Sequence, residues 1–203
     1  MEEQVLWVTG GTSGIGAAIA RRAVEAGHRT FVPGRNGDRL RSLLDEGANQ
    51  SGWPVGCGGG QRRLHSAGRL RHRRPRPVAR HGVDQCLRSG AHRQGVPTHV
   101  LDTKGSVMLV GSVAGTPMVP GSLYGATKAA VHAMGENLRA RLVGTGVHVS
   151  VIRPGRVEAP FWESAPDIAL ESADIAAAVL WILERPAGAD VNELRMRPIG
   201  QER

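Results

Sequence analysis

Aromatic side chains are scarce in this chain: one tyrosine, two phenylalanines and four tryptophans stand among 203 residues. Binding single-stranded nucleic acid by base stacking needs aromatic rings along a basic groove. The most basic stretch, RLRHRRPRPVARH (69–81), has none, nor a helical pattern to enter a groove, so a nucleic-acid partner is not expected. Cysteine is nearly absent too. Cys57 and Cys86 make no metal or disulfide framework, which fits a reducing compartment. His65, His72, His81, His92 and His99 lack the spacing and the carboxylates of a metal site. No apolar run reaches the roughly 18–20 residues that a membrane helix needs. The opening MEEQVLWVTG places two acids where a signal peptide carries basic residues. The expectation is a cytoplasmic protein with no membrane partner.

Apolar residues are present at 40%, enough to fill the core of one domain over residues 1–203. The net charge of +8 is not spread over that core. Residues 51–100 hold ten arginines and one acid, Asp84, which accounts for all of it. The basicity therefore belongs to one stretch and not to the fold.

On both sides of that stretch, strand and helix patterns alternate. Residues 4–9 (QVLWVT) predict a short buried strand, and 14–26 a helix with Ile15, Ala18, Ile19 and Ala23 on its inner face. Residues 29–33 predict a second strand, and 37–46 a second helix with Leu40, Leu43 and Leu44 inward. Later come a strand at 107–112, a long helix at 124–143 and a strand at 147–155. A helix at 172–185 capped by Ser172 and a short strand within 189–198 close the pattern. Such alternation predicts a parallel α/β sheet.

The first turn reads TGGTSGIG, Thr9 to Gly16. Gly10, Gly14 and Gly16 lie between a predicted strand and a predicted helix. That is where a chain must turn tightly, admit a pyrophosphate and aim a helix N-terminus at its charge. The second strand runs into PGRN, with Arg35 where an acid would bind an adenosine 2′-hydroxyl. An arginine there meets a 2′-phosphate instead, which points to NADP(H). The competing reading is a solvated loop arginine.

Residues 112–128 read SVAGTPMVPGSLYGATK. Tyr124, the single tyrosine, and Lys128 stand at i and i+4, on one helix face. Hydride addition to a ketone puts negative charge on its oxygen, and a proton must follow. A phenol titrates near 10 and is a poor acid/base at neutral pH. A neighbouring ammonium is expected to lower that value. Ser112, at the end of the preceding strand, is placed to hold the substrate oxygen beside the phenol.

The glycine turn, the strand-end serine, the Y-x-x-x-K pair and Pro154-Gly155 after the next strand together resemble the short-chain dehydrogenase/reductase family. The likeness covers about residues 4–46 and 105–200 and is greatest to small actinobacterial-type reductases. It implies a doubly wound, Rossmann-type parallel sheet, NADP(H), a small-molecule carbonyl or alcohol substrate and a homo-oligomer. By the same likeness Tyr124 is the acid/base, Lys128 its partner and ribose anchor, and Ser112 the ligand of the substrate oxygen. Gly10, Thr12, Ser13, Gly14, Ile15, Gly16 and Arg35 line the adenosine and phosphate side; Pro154, Gly155 and Val157 line the nicotinamide. One departure is Ala159, where the family usually carries threonine. Phe161 and Trp162 are candidates to cap an apolar ligand or to pack on the sheet.

Residues 49–100 break the resemblance. Glycine, arginine, histidine and proline replace any period of 2 or 3.6, so the middle of the sheet is expected to be irregular or disordered. Only LHSAG (64–68) resembles the family's Asn-Asn-Ala-Gly turn. The composition is that of a GC-rich gene read out of frame. Residues 83–97 can be encoded so that the next frame reads S-I-N-A-S-G-P-A-H-T-A-K-A-F-L, a helix start with a placed asparagine. Two alternatives to an active reductase follow: a catalytically defective product with a frameshifted middle, and a basic nucleic-acid-binding remnant.

Overall fold

The computed structural model describes residues 5–32, 98–116, 122–158 and 166–202. Strand β1 (Val5–Trp7) leads through the glycine turn into helix α1 (Gly14–Glu25) and then strand β2 (Arg29–Phe31). A short helix α2 (Thr98–Asp102) precedes β3 (Ser106–Val110). A single 3-10 turn (Val113–Gly115) separates β3 from the long helix α3 (Leu123–Arg141). Strand β4 (His148–Pro154), helix α4 (Ser172–Leu183) and β5 (Glu193–Met196) complete the order. Every described strand pair is parallel: β1 with β2, and β3–β4–β5 with β4 central. The chain divides into two compact units, one carrying β1, α1, β2 and most of α4, the other carrying α2, β3, α3, β4 and β5.

In the first unit, β1 and β2 pair in register from Val5↔Arg29 to Trp7↔Phe31. Two expectations change here. Strand β1 is not buried throughout: alternation turns Val5 and Trp7 away from Leu6, leaving Trp7 65% exposed and stacked on Phe31 at 6.3 Å. Helix α1 buries Ala17, Ile19, Ala20 and Ala23, so its inner face is rotated from the predicted Ile15, Ala18, Ile19, Ala23 set. Small side chains explain the choice. Ala17 and Ala20 pack on Val32 and Val8, which alanine lets the helix approach closely.

In the second unit, β4 is the most buried strand, with Val149, Ser150, Val151 and Ile152 all shielded. Parallel strands covered on both faces read as apolar runs for this reason. Helix α3 packs on β3 and β4. Ser122 caps it by accepting from the Gly125 N–H at 3.0 Å. Leu142, Val147 and Val149 form a small core with Val100, Val107 and Leu138. Strand β3 stops at Val110, two residues short of the predicted end. Helix α4 begins at Ser172, whose hydroxyl donates to the Glu158 carbonyl and does not cap. The Asp174 carboxylate instead accepts from the Glu171 N–H at 2.8 Å. The predicted helix at 37–46, and residues 49–97 of the stretch expected to be irregular, lie outside the described residues.

Candidate active site

The glycine turn is built as a cradle. Gly10 takes φ +74, with open space where a side chain would stand. A Cβ at Gly16 would strike the Gly10 carbonyl oxygen and approach Gly11 Cα to 3.0 Å, so only glycine lets α1 start this close to the turn. Ser13 precedes the helix in extended conformation and makes no side-chain cap. The first-turn N–H groups of α1, which no helix satisfies internally, are thereby left to other acceptors. Thr12, Gly14, Ile15 and Gly16 are half-buried, and Gly10 and Ser13 exposed. This arrangement fits a dinucleotide diphosphate.

In the second unit the structure brings Ser112, Tyr124 and Lys128 together. Ser112 is 7% exposed and caps the 3-10 turn, its Oγ accepting from the Ala114 N–H at 3.2 Å. That hydroxyl also donates to the Pro154 carbonyl at 3.4 Å and hydrogen-bonds the half-buried Tyr124 hydroxyl. Ser112 has one proton. While it serves Pro154, its Oγ accepts from the phenol; turned round, it would favour the phenolate. Lys128 is 5% exposed and donates from Nζ to the Val110 carbonyl at 3.1 Å.

Contrary to the expectation from its neighbouring ammonium, the phenol's pKa is not lowered. Burial of Tyr124 raises it above 10.0, and the Ser112 hydrogen bond only partly opposes that rise. Desolvating a phenolate costs more than this environment returns.

Pro154 is buried at the end of β4, and the half-buried Gly155 donates its N–H to the Met196 carbonyl at 2.7 Å. The Arg156 N–H donates to Gln201 Oε1 at 2.8 Å, tying this loop to the end of the chain. Val157 is buried and bridges to Leu170. Arg35, Ala159, Phe161 and Trp162 lie outside the described residues.

His132 belongs to none of the sequence motifs above. It stands on the same face of α3 as Tyr124 and Lys128, two turns past the first and one past the second. It is 7% exposed, and its Nε2 accepts the Ser112 backbone N–H at 3.4 Å. The i, i+4, i+8 spacing was a usable signal. So were the glycines at either end of GSVAG (111–115).

Parallel strand–helix–strand units, a glycine-rich turn and a Ser–Tyr–Lys cluster define the class as an α/β oxidoreductase. The family pattern described as short chain dehydrogenase matches residues 4–57 and 91–168. This chain belongs to that family. It is 29% identical to an uncharacterized oxidoreductase of Staphylococcus aureus (strain MRSA252) over 231 residues, covering 98% of this chain and 99% of that protein. It is 30% identical to the NADP-dependent 3-hydroxy acid dehydrogenase YdfG of Salmonella typhi over 249 residues, covering 97% and 96%. The fold matches a short-chain dehydrogenase from Sphingobium yanoikuyae in complex with NADPH at TM-score 0.72 and 21% identity, covering 96% and 87%. The curated alignments run over 231 and 249 positions against 203 residues here, and the family pattern breaks between 57 and 91. That break falls inside the arginine-rich segment.

Proposed function

We propose that this oxidoreductase reduces a ketone or aldehyde to an alcohol with NADPH, or runs the reverse oxidation with NADP+. The observation that carries the reading is the Ser112–Tyr124 hydrogen bond beside Lys128, with Ser112 and Lys128 buried and Tyr124 half-buried. NADP(H) is the cofactor named for YdfG and bound in the Sphingobium structure, and Arg35 is the residue here suited to a 2′-phosphate. Gly10, Thr12, Ser13, Gly14, Ile15 and Gly16 would hold its adenosine and diphosphate side, Pro154, Gly155 and Val157 its nicotinamide. When bound, the nicotinamide supplies the hydride.

This chain's residues do the rest. Ser112 turns its proton from the Pro154 carbonyl to the substrate oxygen and orients it. Tyr124 donates a second hydrogen bond to that oxygen and gives up its proton as negative charge develops. Burial keeps the phenol protonated at neutral pH, which is the form reduction needs. Lys128 supplies positive charge for the phenolate that results.

A 3-oxo acid or its ester is the first substrate class to test, because a 3-hydroxy acid is named for YdfG. The experiment follows NADPH oxidation against a carbonyl panel, with Tyr124→Phe as control. Turnover by wild type and its loss in Y124F, with NADPH binding retained, is expected; near-wild-type turnover in Y124F refutes the assignment. A Michaelis constant for NADH equal to or lower than that for NADPH would refute the cofactor choice. Cytoplasmic location and a homo-oligomer are part of the same proposal, the latter checked by light scattering.

One observation favours a second reading. The break in the family pattern between 57 and 91 coincides with the out-of-frame composition, which supports a defective product of a frameshifted gene. Resequencing codons 46–104 separates the two. A restored Asn-Ala-Gly turn and fourth-helix asparagine mean an ordinary reductase. An unchanged sequence with no turnover means the defective form.

A further inference from the structure

The backbone that carries Ser112 is held at three successive groups. The Val110 carbonyl accepts from Lys128 Nζ at 3.1 Å, and the Gly111 N–H donates to the Ile152 carbonyl at 2.7 Å. The next group is the Ser112 N–H. It lies beyond the ladder, because the register of β3 with β4 ends at Val110↔Ile152. A buried N–H left without an acceptor is costly. His132 Nε2 takes it.

The imidazole reaches that N–H through a gap in the backbone. A Cβ on Gly111 would stand 2.6 Å from His132 Nε2, and a Cβ on Gly115 2.6 Å from its Cε1. Two glycines therefore bracket the ring within GSVAG (111–115). Any side chain at either position would drive it away from Ser112.

We propose that His132 is a positioning residue for the reaction: its neutral imidazole, protonated on Nδ1, fixes the Ser112 backbone and so holds Ser112 Oγ within hydrogen-bond reach of the Tyr124 phenol. The inference rests on the proposed roles of Ser112 and Tyr124 and adds the group that sets their geometry. A ring that accepts at Nε2 must carry its proton on Nδ1. Burial does most to keep it neutral, and the ring's pKa falls below 6.5. Arg153 on β4 and Lys128 on α3 also disfavour a second proton; Glu193 on β5, paired with Arg153 at 2.8 Å, and the Ser112 backbone act the other way and only partly offset them.

The test uses the full-length protein. Nitrogen-15 labelling of the histidine rings in wild type reads the tautomer, with His132→Gln identifying the His132 signal. His132→Leu keeps apolar bulk without an acceptor, and His132→Gln places an amide oxygen near the Nε2 position. With ethyl 3-oxobutanoate and NADPH, H132L is expected to lose about tenfold in kcat with the NADPH Michaelis constant unchanged, and H132Q to recover most of that loss. The wild-type ring should show unprotonated Nε2. Protonated Nε2, equal impairment of both variants, or unimpaired H132L overturns the proposal. If H132L does not fold, the H132Q turnover and the tautomer decide.

Failure of the underlying reading looks different. If Ser112→Ala and Tyr124→Phe leave turnover intact, or wild type turns over nothing, Ser112 and Tyr124 lose their assigned roles. The tautomer and the exchange rate of the Ser112 amide in H132Q still decide whether His132 holds that backbone. Fast exchange in wild type would overturn it.

Discussion

The Lys128 ammonium lies 5.7 Å from the centroid of the Tyr124 ring, one helical turn along α3, and donates its hydrogen bond to Val110. Its positive charge is therefore near the phenol, while its donor anchors the end of β3. Lys128→Met is expected to remove both effects. Turnover should fall by about 100-fold or more, and a fall of less than about threefold would show that the ammonium plays no part.

The Tyr124 pKa is raised by burial, and the sign of the pH dependence follows. Reduction uses the protonated phenol, so its kcat should stay level through neutral pH and fall only above the ordinary tyrosine value of about 10. Oxidation uses the phenolate and should still be rising at that pH. An oxidation rate that reaches its plateau near pH 7 would contradict the direction found here.

Acid stability follows from His132. Its folded pKa lies below 6.5, so the unfolded chain takes up that proton first as the pH falls. The contribution is fully present above 6.5 and is lost as the pH drops through the folded value. Urea midpoints for wild type should decline between about pH 7.5 and 5, and H132Q should decline less. Equal declines would mean that His132 does not titrate in this way.

Gly16→Ala tests the cradle. The added Cβ meets the Gly10 carbonyl oxygen, a backbone atom that cannot swing aside. The turn must open, at a cost of about 1–3 kcal/mol. The NADPH Michaelis constant should rise about tenfold, with a lowered thermal midpoint. An unchanged constant would place the diphosphate elsewhere.

Much of this protein was legible in its sequence because the signals are local. Apolar β-branched runs mark Ser106–Val110 and His148–Pro154 as strands, and the strand–turn–helix frame locates the glycine cradle. The i, i+4 spacing alone puts Tyr124 and Lys128 on one face. These follow from chain geometry over a few residues. Tertiary packing decided the rest. It chose the alanine face of α1, since close approach to Val8 and Val32 rewards small side chains over Ile15. It raised the Tyr124 pKa, because desolvation depends on everything packed around the ring. It also brought His132 to the Ser112 N–H across twenty residues, through a gap left by Gly111 and Gly115. No local pattern determines such a contact; it exists only once α3 has packed on β3 and β4.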